Sequence, residues 1–173
     1  IIIIHAEDMG SLSRELIETL GKERAKGLLL RMGYASGARD AELARKLIPD
    51  ASDTDLLMVG PNLHNMEGIV HVTAERLEMD IAKGHFDGEF LWMNSFEDEA
   101  HRSAFGISEE PECWMQIGYA CGYTTHIMGK FILYKEVECG AKGDPYCRIV
   151  GQPLEKWEDG DFWIQYFRPD HVA

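Results

Sequence analysis

The 173-residue chain predicts an α+β (α/β) domain: an antiparallel sheet with helices packed on it. Three observations predict that class. Apolar residues at helical spacing fill the first fifty positions, and β-rich runs with turn residues between them follow. A long apolar helical segment then leads into another β-rich run. An apolar content of 45% beside mixed charges belongs to an ordinary folded chain, long enough for one real core.

Ile1 to Ile4 is β-branched and apolar and reads as a strand or an ordered arm. Ser11 to Leu20 places Leu12, Leu16, Ile17 and Leu20 at helical spacing, with Ser11 or Ser13 as caps and Gly21 as the break. A second helix is expected from Lys22 to Gly37 and a third from Arg39 to Leu47, ended by Pro49. Leu56 to Val59 is a short apolar run stopped by Gly60-Pro61. Gly68 to Leu77 and Gly84 to Met93 read as strands joined through Ile81 to Lys83. In the second, Phe90 and Trp92 share a face. Phe96 to Ala104 is charged and is expected as a surface helix or loop. Pro111 to Lys130 reads as the central helix; Gly118 and Gly122, four apart, imply a close packing partner. Phe131 to Val137 is a strand with Ile132, Tyr134 and Glu136 on one face, and Arg148 to Gly151 is expected to pair back with it. Pro153 to Trp163 reads as a final helix.

The net charge of −13 repels phosphates, so direct nucleic-acid binding by this chain is not expected. No run approaches the roughly 18 apolar residues of a membrane span, and the opening lacks the layout of a signal peptide. No glycine-rich loop ends in Gly-Lys-Ser/Thr, so no P-loop is present. The chain starts with Ile and is expected to be a piece of a longer, cytoplasmic protein, whose thiols stay reduced.

Three of the four cysteines lie at spacings that can close on one ion. Cys139 and Cys147 flank a loop holding Gly140, Gly143, Asp144 and Pro145, all turn residues. Glu136 precedes Cys139 by three. Cys113 follows Pro111 at a helix start, where the positive helix end favours a thiolate. Spacing leaves alternatives open: a metal site, plain buried cysteines, or disulfides. A metal held by three thiolates and one carboxylate would be zinc in a closed, structural tetrahedron. Cys121 and Asp144 are reserve ligands.

Trp92, Phe90, Tyr134 and His64 are the residues expected around a cavity. An indole N–H donates and a neutral imidazole can accept, so the pair can fix one hydroxyl, while aromatic walls suit an aromatic ligand. By spacing alone each is as well explained as core. For catalysis, Ser95, Ser103 and Thr124 lie in no triad pattern, and Glu136 and Glu138 give no free carboxylate pair.

Sequence blocks then add a resemblance. Glu23-Arg-Ala-Lys-Gly27, Leu30-Arg-Met-Gly-Tyr34-Ala-Ser-Gly37, Asp40-Ala-Glu-Leu-Ala-Arg-Lys-Leu47, Gly60-Pro-Asn-Leu-His64, Trp92-Met-Asn-Ser-Phe96-Glu, Cys113-Trp, Gly118-Tyr-Ala-Cys121, Met128-Gly and Lys135-Glu-Val-Glu-Cys139 occur in order. Across nearly its whole length the chain resembles the aromatic-sensing N-terminal domain of the XylR/DmpR group of sigma-54-dependent transcription activators. The resemblance implies a vinyl-reductase-like ligand-binding fold, an N-terminal arm or dimerisation segment over 1–20, a ligand-binding domain over 21–152, and a C-terminal helix over 153–173. That helix would lead to the linker of an ATPase domain outside this chain. The resemblance also implies a homodimer and structural zinc on Cys113, Glu136, Cys139 and Cys147. It implies a phenolic effector whose hydroxyl meets His64 and Trp92, because the xylene and toluene sensor of the group has Tyr at the position of His64. Two departures stand out. Lys142 replaces a further Cys of some relatives, which leaves the four-ligand set intact. Leu57 replaces a Phe of phenol sensors, which would widen the pocket toward substituted phenols or a hydroxylated biaryl. The function expected is effector-controlled relief of repression, with a metal-dependent enzyme or a ligand-free zinc-stapled dimerisation module as the rivals.

Overall fold

A computed structural model describes residues 4–168. The strand or arm expected at Ile1 to Ile4 lies outside them, apart from Ile4, which is exposed. The chain runs α1 (Ala6–Leu20), α2 (Lys22–Leu47), α3 (Asp53–Glu67), β1 (His71–Asp80), β2 (His85–Met93), α4 (Phe96–Phe105), α5 (Trp114–Met128), β3 (Ile132–Glu138), β4 (Cys147–Pro153) and α6 (Gly160–Ile164). The four strands form one antiparallel sheet in the order β1-β2-β4-β3. The expected class therefore holds, and β4 pairs back with β3 as the Arg148 to Gly151 run implied. Among the described residues no helix is long and apolar enough to cross a membrane.

α5 is the centre of the molecule. It is buried on nearly every side, as expected for a helix apolar all round. One flank meets the inner sheet face, where Phe86, Phe90, Trp92, Ile132, Tyr134 and Ile149 are buried. The other meets α2 through two glycine pairs. A Cβ on Gly118 would lie 2.1 Å from the Leu30 carbonyl oxygen, and one on Gly122 would lie 2.0 Å from that of Tyr34. In return, Gly33 faces the Met115 carbonyl and Gly37 that of Tyr119. The packing partner implied by Gly118 and Gly122 is α2.

Several boundaries differ from the sequence reading. α2 is a single helix through Gly37, because that glycine serves close approach to α5 and not chain reversal. The Leu56 to Val59 run belongs to α3, which continues through Gly60 and Pro61. Proline removes one backbone donor there. Packing compensates: the Tyr123 ring lies against Gly60, and its hydroxyl donates to the Leu56 carbonyl at 2.7 Å. α1 starts five residues earlier than expected, and its Gly10 packs against Ala100 of α4. α5 starts at Trp114, leaving Pro111 outside and Cys113 as the N-cap. The expected final helix over Pro153 to Trp163 is instead a 3-10 turn at Leu154–Lys156, the short α6, and a second 3-10 turn at Gln165–Phe167.

Candidate functional site: an aromatic cavity beside a thiolate cluster

Between α3, α5 and the inner sheet face lies a cavity lined by Leu57, Gly60, Pro61 and His64 of α3, by Tyr119, Ala120, Tyr123 and Thr124 of α5, and by Val72, Phe90, Trp92, Tyr134 and Ile149 of the strands. The centres of water-sized spheres range over about 40 Å³ inside it, several times the ~10–15 Å³ that one water needs. The structure thus brings His64, Trp92, Phe90, Tyr134 and Leu57 to one space. Its wall is apolar except at a few points. Thr124 Oγ1 and the Tyr134 hydroxyl are 3.1 Å apart and satisfy one another. Among the described residues, neither the ring nitrogens of His64 nor Nε1 of Trp92 has a hydrogen-bond partner, although both side chains are buried. Desolvation lowers the His64 pKa to about 4, so the imidazole is neutral at pH 7 and offers one donor and one acceptor. Its ring packs against Tyr119 at 4.1 Å between centroids, and Tyr119 donates its hydroxyl to Asp40 of α2 at 3.0 Å.

Beside the cavity, Cys113, Glu136, Cys139 and Cys147 place one ligand atom each within 4.8 Å of one another and could hold a metal ion. The sulfurs of Cys113 and Cys147 are 3.9 Å apart; two sulfurs about 2.3 Å from a shared tetrahedral ion would be about 3.8 Å apart. Glu136 Oε1 is buried with no hydrogen-bond partner, and a cation among the four would satisfy it. Burial drives the Cys113 thiol and the Glu136 carboxyl well above their usual range, and a metal ion would reverse that by stabilising the anions. Surrounding groups orient the set. Gly140 donates its N–H to Cys147 Sγ at 3.3 Å, and Asp98 Oδ2 lies 3.2 Å from the same sulfur. The two reserve ligands serve elsewhere: Asp144 accepts the Cys139 N–H at 2.8 Å, and Cys121 Sγ accepts the Tyr134 N–H at 3.2 Å. None of the four cluster residues lines the cavity.

Comparison with known proteins agrees with this geometry. Residues 1–80 match the family XylR_N, described as an activator of aromatic catabolism, and residues 92–153 match the vinyl-reductase-type domain family. The chain is 42% identical over 172 residues to the phenol regulator MopR of Acinetobacter guillouiae, covering 99% of this chain and 31% of that one. It is 39% identical over 172 residues to the transcriptional regulatory protein XylR of Pseudomonas putida, covering 99% and 30%. It therefore spans about a third of the length of these relatives. The crystal structure of the phenol-responsive sensory domain of the transcription activator PoxR with phenol is 52% identical, with a TM-score of 0.95 over 98% of this chain and 85% of that one. The chain belongs to the sensor domains of XylR/MopR-type transcription activators. Its four-strand sheet with packed helices is the fold of that family.

Two groups of this sensor domain escaped the sequence reading. Glu97, on α4, is fully enclosed and accepts the N–H groups of Met115 at 2.7 Å and Gln116 at 2.9 Å, so a carboxyl completes the first turn of α5. Burial raises its pKa to about 8. Ser95 caps α4 and also touches Gln116 and Cys113. The sequence signal for Ser95 is an N-cap with acids in the following turn; Glu97 has no signal of its own within so charged a segment.

Proposed function

We propose that this domain senses a phenolic effector in the cavity, and that occupancy relieves repression of an ATPase domain outside the chain to switch on aromatic catabolism. The observation that carries this reading is the pairing of two unsatisfied polar groups, His64 and Trp92, within an otherwise apolar, ring-sized cavity. A phenol hydroxyl donates to the neutral imidazole and accepts from the indole N–H, while Phe90 and Tyr134 flank the ring. The family membership supports the regulatory role, and the phenol held by the PoxR relative supports the ligand class. A ligand shifts the domain only through unequal affinity for its states.

In this reading zinc sits on Cys113, Glu136, Cys139 and Cys147 as a structural ion, since a closed four-ligand set leaves no position for a substrate. The cluster's separation from the cavity lining favours that role over metal-dependent catalysis, and the domain acts as a cytoplasmic regulator and not as an enzyme. Residues 1–20 serve as a dimerisation segment, 21–152 as the ligand-binding unit, and 153–173 as the path to the linker. The test is calorimetric titration with phenol, toluene and 2-hydroxybiphenyl. Saturable one-to-one phenol binding without toluene binding is expected, and His64→Ala weakens phenol about 10- to 100-fold. Equal affinity of wild type and His64→Ala would overturn the hydroxyl-recognition role. With room for about one ring, the cavity is expected to take phenol more readily than the biaryl.

A further inference from the structure

Lys26 of α2 is only 8 % exposed, and among the described residues its ammonium has no ion pair or hydrogen bond. Two ring faces cover it instead: Trp163 at 4.6 Å and Tyr166 at 5.1 Å. Both belong to the segment that follows the sheet. Burial pushes the Lys26 pKa down, a sign that the ammonium is held at a cost. Docking this segment removes water from a cation and returns cation–π contact and apolar burial. The two contributions oppose one another, as they must in an element with two accessible states.

The same segment grips a second lysine. Lys135 of β3 lies under Trp157 at 4.3 Å and Trp163 at 5.6 Å and pairs with Asp159. Trp157 donates its indole N–H to the Leu133 carbonyl at 3.1 Å, and Arg31 donates to the Tyr166 carbonyl at 2.8 Å. The placement of these anchors joins them to the sites already described. On β3, Tyr134 lines the cavity, Glu136 belongs to the metal cluster, and Lys135 lies between them in sequence. α2 carries Lys26 and Arg31, and its Gly33 and Gly37 abut α5, which supplies Tyr119 and Tyr123 to the cavity. The segment thus rests on two elements tied directly to the cavity.

We propose that residues 157–167 form a releasable clasp on Lys26 and Lys135, and that an occupied cavity favours its docked state. The cavity is formed while the clasp is docked, which sets the direction. The coupling rests on the phenol-sensing reading above. Reciprocity then requires that changes at the clasp alter ligand affinity, although no clasp residue lines the cavity.

The experiment measures phenol Kd by calorimetry for the 173-residue chain, Lys26→Met, Trp163→Phe and Trp163→Ala, with hydrogen exchange of residues 157–167 followed with and without phenol. Lys26→Met keeps the side chain's apolar length and removes the ammonium, so docking strengthens and phenol binds about 5-fold tighter or more. Trp163→Ala weakens phenol by a similar factor, and the milder Trp163→Phe falls between, which guards against misfolding of the alanine variant. Phenol slows exchange across the segment in wild type. Wild-type binding with the same Kd in every variant and unchanged exchange sinks the clasp alone. Absence of phenol binding in wild type sinks the sensor reading, and the coupling with it.

Discussion

Burial alone sets the chemistry of His64. Desolvation, with no charged neighbour, brings its pKa to about 4 from 6.5. The unfolded chain therefore takes up that proton first as pH falls. This histidine leaves stability untouched above about pH 6.5 and lowers it progressively toward pH 4, by up to about 3 kcal/mol. Urea denaturation midpoints in this window, compared between wild type and His64→Gln, measure the effect; an equal acid sensitivity of both would refute the assignment. Leu57 makes a second prediction at this scale. Leu57→Phe adds volume to a cavity wall, so ring-substituted phenols lose affinity more than phenol itself, as paired titrations would show. The chemical types of these residues were legible in the sequence, but their convergence was not. Gly60-Pro61 reads as a turn, which separates Leu57 from His64, whereas in the folded chain both project from one helix into the cavity. Only the resemblance to known sensors singled out His64. Glu97 was illegible for a different reason: a carboxylate in a charged stretch looks solvated until tertiary contacts enclose it.

Among the elements, the α2–α5 pair tests whether packing or backbone freedom explains a glycine. A Cβ on Gly118 would meet the Leu30 backbone at 2.1 Å, and backbone cannot rotate away as a side chain can. Gly118→Ala is expected to cost about 3 kcal/mol, at the upper end of overpacking effects. Gly68 poses the opposite case: its φ is +71° with nothing within 4 Å of a Cβ, so Gly68→Ala costs only about 1 kcal/mol of local strain. Chemical denaturation of the two variants checks the order, and a Gly68 penalty above that of Gly118 would contradict the packing account. The same glycines explain where the reading of elements succeeded and failed. Spacing of four on α5 announced a close neighbour correctly. On α2, Gly37 looked like a break because sequence cannot separate a glycine that ends a helix from one that lets a second helix approach. The strands were legible from alternation, since each buries one face and exposes the other along much of β2 and β4. The tail was misread because Trp-rich periodicity there serves contacts to two lysines and not one helical face.

At the scale of the whole molecule, the cluster of Cys113, Glu136, Cys139 and Cys147 joins the start of α5, the end of β3, the following loop and the start of β4. These four points lie far apart in sequence, so an ion on them restricts many unfolded conformations at once. Metal binding and folding are then one process: the thiolates and the carboxylate, which burial alone makes unfavourable, become stable anions only around a cation. The purified domain is expected to carry one zinc per chain by elemental analysis. A strong chelator should lower its thermal midpoint and, with heating, bring the metal loss and the unfolding together. Cys147→Ala removes a ligand and leaves the other three buried without their charge partner, so the variant should aggregate or unfold. Trp92 is paired in register with Cys147, and Tyr134 precedes Glu136 by two on β3. Distortion of the cluster therefore reaches two cavity walls, and any soluble metal-depleted fraction should bind phenol more weakly. A soluble, zinc-free Cys147→Ala protein with wild-type phenol affinity would show that the sheet and α5 hold the cavity without the ion, and would confine the cluster to a local role.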